Sequence, residues 1–331
     1  MKSWLLFKQH QERNLTKRFV LIDERAFFLY MSSAEVAVRV FRQLEIEDFR
    51  VLQIIETAMS RREFVPKDQI AKYAQLPIDR ITFTLNKLDE LGLIYGMKGA
   101  YVGHTLNYAG YDCLAINAFV KAGLIDAFGQ SLGVGKESDV YGALTPQGSR
   151  VAVKFQRLGR TSFRQTRRKR GYTAEHAGWL FQSRLAAEKE FQALNLVYGH
   201  DVSVPEPFSQ NRHAIVMGFI DGAELANWRE LENSEKVLRE ILGNVRKAYV
   251  KACVIHADLS EYNIILKGDM QVLIIDWPQF VRTDHPNAVE LLERDVGNVL
   301  VFFNRRFRVK TSLEKIMQYV SGKTRALSLK A

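Results

Sequence analysis

Apolar residues recur along this chain at more than one spacing, and each spacing predicts an element. From about residue 46, Phe49, Leu52, Ile55 and Met59 repeat every three or four positions, the spacing of one helix face. Pro66 stands at the expected first position of a second helix running through Ala74, and Leu76-Pro77-Ile78 breaks that helix. Asp79 is the expected cap of a third helix, with Ile81, Leu85, Leu88 and Leu91 along one face and Gly92 closing it. Two short runs, Leu93-Ile94-Tyr95 and Ala100-Tyr101-Val102, then flank the turn Gly96-Met97-Lys98-Gly99. Three helices followed by a glycine-turned hairpin predict a winged helix. A further helix from about 108 to 122, carrying Leu114, Ile116 and Phe119, leads out of it. Upstream, Arg18-Phe19-Val20-Leu21-Ile22 reads as a short strand, and the rest of residues 1–30 is unassigned. Met31-Ser32-Ser33-Ala34-Glu35 sets a serine cap ahead of helix formers and looks like a fresh start. Translation from Met31 is therefore an expectation, which N-terminal mass spectrometry checks.

Composition narrows the class. The 331 residues suffice for two domains, and 47% hydrophobic with 11% aromatic residues excludes both global disorder and a small disulfide-stapled scaffold. Cys113 and Cys253 lie far apart, which argues against a disulfide framework or a cysteine-ligated zinc and fits a reducing cytoplasm. No run approaches the roughly 18 apolar residues of a membrane span, so no membrane association is expected. A formal charge of +10 would attract phosphate-rich partners. In a winged helix the third helix is the usual nucleic-acid reader, and its outward side here would show Arg80, Thr82, Thr84, Asn86 and Lys87. A solvated face or a protein-docking module are the alternatives.

Candidate chemistry lies downstream. Gly133-Val134-Gly135-Lys136-Glu137-Ser138 has glycines that would let backbone N–H groups approach an anion, but it lacks the four-residue spacer of a Walker A loop. Val151-Ala152-Val153-Lys154 is a β-branched strand ending in a lysine, as in the third strand of protein kinases. Within His256-Ala257-Asp258-Leu259-Ser260-Glu261-Tyr262-Asn263, Asp258 and Asn263 have the spacing at which an aspartate accepts or orients a hydroxyl proton and an asparagine holds a metal. Asp276 follows the apolar strand Val272-Leu273-Ile274-Ile275, where a second magnesium ligand belongs.

The loop at 135–138, the string at 256–263 and Ile275-Asp276-Trp277-Pro278-Gln279 resemble the RIO atypical kinases, and the upstream winged helix points to the RIO2 branch. The resemblance covers about residues 46–322. It implies an α+β fold, a winged helix followed by a trimmed bilobal kinase-like domain. The expected division is an unassigned extension at 1–45, the winged helix at 46–125 and the kinase domain at 126–331. By the same match Gly133, Val134, Gly135, Lys136, Glu137 and Ser138 form the phosphate loop, and Lys154 holds the α- and β-phosphates. Glu190, rather than Glu188, pairs with that lysine, and Met217 and Ile220 offer backbone groups to adenine. Gly218 stands where relatives often carry an acid. Asn263 and Asp276 would hold magnesium, with manganese as an alternative, and Asp258, Asp276 and Lys154 form the catalytic set. The resemblance further implies an ATP-dependent serine kinase or ATPase, cytoplasmic and monomeric off the ribosome. Its partner would be the small ribosomal subunit precursor and its RNA. Transient phosphorylation of Asp276 is also implied. A small-molecule phosphotransferase of the aminoglycoside or choline kinase type and a nucleotide-gated RNA-binding scaffold are the competing readings.

Departures from ordinary protein kinases matter too. Ala257 replaces the arginine that would receive an activation-loop phosphate, Trp277-Pro278 replaces Phe-Gly, and no Ala-Pro-Glu segment follows. Arg157, Arg160, Arg164, Arg167, Arg168, Lys169 and Arg170 crowd seven positive charges without an acid. Beside the nucleotide cleft, that stretch is expected to contact ribosomal RNA, a solvated loop being the alternative.

Overall fold

The computed structural model describes residues 31–99, 101–159 and 174–329. The strand expected at 18–22, Ala100, and the basic residues from Arg160 to Arg170 lie outside the described residues.

The first helix, α1 (Ser33–Val40), begins inside the segment that hydrophobic periodicity left unassigned. Ser32 accepts from the Glu35 backbone N–H while Glu35 accepts from the Ser32 N–H, a reciprocal capping box. Its buried face, Ala34, Val36, Ala37 and Val40, shares a core with the helices that follow. These are α2 (Ile46–Met59), α3 (Lys67–Ala74) and α4 (Ile78–Glu90), with the short strand β1 (Val65–Pro66) between α2 and α3. Asp79 does not cap α4. Pro77 takes that position without a side-chain bond, and Asp79 lies in the first turn, where its charge complements the helix dipole. Gly92, at φ +71°, ends α4 in the left-handed conformation that favours glycine.

The wing is β2 (Ile94–Lys98) and β3 (Val102–Leu106), antiparallel, with β1 on the free side of β3. The connecting helix α5 (Tyr108–Lys121) is tucked against the wing through Gly110, where an added Cβ would come within 2.3 Å of the Leu93 carbonyl oxygen.

A five-stranded antiparallel sheet follows, from β4 (Ala127–Val134), β5 (Ser138–Leu144), β6 (Arg150–Gln156), β7 (Pro207–Asn211) and β8 (Ala214–Gly218) in the order β4-β5-β6-β8-β7, with the long helix α6 (Ala174–Tyr198) against it. Strand β6 is buried on both faces. Val151, Val153 and Phe155 join the same hydrophobic core as α1, α2, α4 and α5, while Ala152 faces Ala187, Ile215 and Met217. One core therefore runs through the winged helix and the upper lobe.

A second core fills the lower lobe. It is built from α7 (Ser234–Val250), α8 (Ala288–Phe307) and α9 (Leu313–Val320), a sheet of β9 (Gly222–Glu224), β11 (Ile264–Lys267) and β12 (Val272–Ile274), and the pair β10 (Val254–Ile255) and β13 (Val281–Arg282). Winged helix, sheet-bearing lobe and helical lobe are the α+β architecture expected. Among the described residues, no helix is long and apolar enough to cross a membrane.

Candidate active site

The two lobes meet at Lys154. Period-two alternation turns it to the α6 side of β6, and its ammonium reaches Glu190 Oε1 on α6 at 2.7 Å and Asp276 Oδ1 of the lower lobe at 2.6 Å. Glu190 accepts a second bond from Gln156 Nε2 at 2.5 Å. Glu188 points elsewhere and pairs with Arg184 at 2.8 Å, one turn away. Burial alone would lower the Lys154 pKa, but the two carboxylates overcome it and hold the ammonium above its ordinary value. Burial likewise pushes the Asp276 carboxyl up, and Lys154 more than compensates, leaving it below the usual range.

Asp276 sits just beyond β12 with φ +67°, and Ala257 has φ +64°. Two side-chain-bearing residues in left-handed backbone is a strain that the surroundings must hold. They do so from several sides. His256, kept neutral by burial, donates from Nε2 to the Ile275 carbonyl at 2.9 Å and packs on Trp277 with ring centres 4.6 Å apart. Asp295 on α8 accepts from the Ala257 and Leu259 backbone N–H groups at 2.7 and 3.1 Å. Arg294 donates to the Ala257 carbonyl, and Asn298 to that of Leu259 at 3.2 Å. Burial raises the Asp295 carboxyl to about 6. On this frame Asp258 is exposed, and its carbonyl accepts from Asn263 Nδ2 at 2.8 Å. Asp295 escaped sequence reasoning, although an acid between Leu292, Val296 and Val299 on the buried face of a helix is the signal that marks it.

The loop joining β4 to β5 is exposed from Gly133 to Glu137, and an added Cβ at Gly133 would meet nothing within 4 Å. Its far leg is pinned: Gly135 N–H donates to the Ser138 carbonyl at 2.8 Å and Arg157 N–H to the Glu137 carbonyl at 2.6 Å. The Arg157 side chain corrects the expectation that it belongs to a solvated basic stretch. Its guanidinium is 1% exposed, bonded twice to Asp112 of α5 at 2.8 Å and to Asp139 of β5 at 2.9 Å. His213, between β7 and β8, adds a 2.6 Å contact to Asp112. Beside Lys154, Val140, Ala152 and Met217 form an apolar cluster, and Gly218 N–H donates to the Glu206 carbonyl at 2.8 Å. Ile220 is half-buried.

Among the described residues, no three His, Cys, Asp or Glu side chains converge on a metal site. Asn263 and Asp276 offer oxygen donors, which suit a hard cation that takes its remaining ligands from phosphate and water. On α4 both cations expected to read nucleic acid carry an acidic partner, although the Arg80 side chain stays half exposed. Arg80 pairs with Glu47 at 2.8 Å and Lys87 with Asp48 at 2.6 Å, both acids lying on the first turn of α2. Thr84 is buried and bonds Glu47 at 3.1 Å. Arg164, Arg167, Arg168, Lys169 and Arg170 lie outside the described residues.

The chain matches the RIO domain family over residues 139–316 and the family described as Rio2, N-terminal over 41–122. It is 40% identical over 275 residues to the RIO-type serine/threonine-protein kinase Rio2 of Methanocaldococcus jannaschii, covering 80% of this chain and 100% of that one. With the serine/threonine-protein kinase rio2 of Dictyostelium discoideum it shares 35% identity over 271 residues, 81% of this chain but only 52% of that longer protein. The crystal structure of the Rio2 kinase–ADP/Mg2+–phosphoaspartate complex from Chaetomium thermophilum superposes with a TM-score of 0.76 at 32% identity, covering 86% of this chain and 89% of that one.

Proposed function

Because this chain belongs to the RIO kinase family, on its Rio2 branch, we propose that it transfers the γ-phosphoryl group of magnesium-bound ATP to a serine hydroxyl or to water, in the maturation of the small ribosomal subunit. The observation that carries this reading is the buried Lys154 shared between Glu190 of the upper lobe and Asp276 of the lower. Lys154 would hold the α- and β-phosphates, and the exposed backbone of 133–138 would cover them. Adenine would lie on Val140, Ala152 and Met217, with backbone groups of Met217 and Ile220 at its edge. Magnesium or manganese, held by Asn263 and Asp276, would neutralise charge on the phosphate oxygens.

Asp258 is free of side-chain partners among the described residues and would accept or orient the proton of an incoming hydroxyl. Asp276 offers a second acceptor. A carboxylate oxygen attacks the γ-phosphorus, the bond to the bridging oxygen breaks, and ADP leaves with that electron pair. Water then cleaves the acyl phosphate. The phosphoaspartate complex of the Chaetomium thermophilum relative supports this route. Protein trapped during turnover with labelled ATP should lose its label to hydroxylamine, which cleaves acyl phosphates; label resistant to hydroxylamine and mapping to serine would exclude the aspartyl route.

The ribosomal part of the reading rests on the family and on six basic residues without an acid between 160 and 170. It predicts that the protein, a cytoplasmic monomer when free, co-sediments with small-subunit precursors and leaves them on ATP hydrolysis. Absence from those fractions in the presence of a non-hydrolysable ATP analogue would overturn it.

A further inference from the structure

Residues 31–125 carry eleven basic and eleven acidic side chains, so no net charge of that unit draws an anion to it. What decides is where cations remain unpaired. Three of the acids are engaged on two sides of α2: Glu47 and Asp48 with Arg80 and Lys87 of α4, and Glu56 with Arg212 at the upper-lobe sheet. The remaining side of α2 faces α3 across a groove of about 580 Å³. Arg50, Arg61 and Arg62 line it, and its lining includes no carboxylate. All three arginines are exposed, and among the described residues none has an ion-pair partner. Gln53 and Gln69 line the same groove, as does Tyr73, which is 55% exposed.

We propose that this groove between α2 and α3 binds single-stranded RNA, a surface distinct from the α4 face on which a winged helix would ordinarily read nucleic acid. The proposal rests on the reading of the protein as an RNA-associated kinase. Three guanidinium groups suit consecutive phosphates. An exposed tyrosine ring gives a base a stacking platform, and glutamine amides present donor and acceptor side by side, as a base edge requires. An acidic peptide would use the arginines and leave the ring and amides idle. A duplex would need a free cationic helix to enter its groove, and the cations of α4 are paired.

The test is fluorescence anisotropy of the full chain with a short labelled single-stranded RNA across a series of salt concentrations. Each phosphate contact to a single strand contributes a slope of about 0.7 in log affinity against log salt, so Arg50→Gln/Arg61→Gln/Arg62→Gln should flatten the slope by about 2. Tyr73→Leu should weaken binding about tenfold and leave the slope alone. Arg80→Gln/Lys87→Gln should change neither. An unaltered slope in the triple variant, a flattened slope in the α4 variant, or displacement of RNA by polyglutamate as effective as by unlabelled RNA would overturn the proposal. If the unsubstituted protein bound no RNA, the proposal and the RNA reading would fail together. Magnesium-dependent ATP turnover, which the triple variant should retain in full, shows separately whether the kinase reading stands.

Discussion

A lysine buried in a strand would ordinarily give up its proton. Lys154 keeps it because carboxylates from two lobes reach it, and the same balance of burial against partners keeps Asp276 ionised. For Asp295 the balance tips the other way. Burial lifts its carboxyl to about 6, above the roughly 3.9 of an unfolded chain. The folded state thus binds this proton more readily than the unfolded one, so the contribution to stability is full below about pH 4 and is lost as pH rises through 6, by about 2–3 kcal/mol. Asp295→Asn has no proton to exchange there. Denaturant unfolding of both proteins from pH 4 to 7 should show the unsubstituted protein losing that much relative to the variant, whereas a pH-independent difference would contradict the assignment. Residue spacing alone singled out Lys154, Asp258, Asn263 and Asp276, and the fold joins Lys154 to Asp276 and Asn263 to the Asp258 backbone. Asp295 acts on the string at 256–263 from 36 or more residues away, through backbone N–H groups that carry no sequence signature.

Strand β6 shows what an element can and cannot announce. Val151, Ala152 and Val153 are apolar without alternation because both faces are covered, by the winged-helix core on one side and by the α6 side on the other. The helices of the winged domain were legible from their periodicity, their glycine stop and their hairpin. Helix α1 is only eight residues long, and its serine cap was its one signal. On α4 the sequence shows Arg80 and Lys87 as bare cations, and the fold adds an acid from the first turn of α2 to each. Arg157 misled, since its partners Asp112 and Asp139 lie on elements upstream. Removing the guanidinium alone leaves two buried carboxylates without their cation, so Arg157→Met should cost about 3–5 kcal/mol. Replacing all three together, as Asp112→Leu/Arg157→Met/Asp139→Leu, should cost less than the single change, because no charge is then stranded. Chemical denaturation measures both; a triple variant less stable than Arg157→Met would refute the account of the network.

At the scale of the molecule, charge and core are arranged separately. Of the net +10, residues 1–30 contribute +3, residues 160–173 contribute +6 and residues 126–159 contribute +1, while 31–125 and 174–331 each balance to zero. The core, in contrast, is continuous from α1 through the five-stranded sheet. A chain begun at residue 126 would expose Tyr141, Val151, Val153 and Phe155, and it should therefore be insoluble or bind a hydrophobic dye where the full chain does not. Soluble, cooperative unfolding of that fragment would show that the winged helix is an independent appendage. The central claim is that the cleft between the lobes performs phosphoryl transfer with divided labour. The most direct measurement is ATP turnover and ADP affinity, with magnesium, for Asp258→Ala. Turnover should fall at least about 100-fold, the scale of a lost acid–base or orienting group, with nucleotide affinity within a few-fold, whereas Lys154→Ala should weaken both. Normal turnover by Asp258→Ala would contradict the assignment of the site.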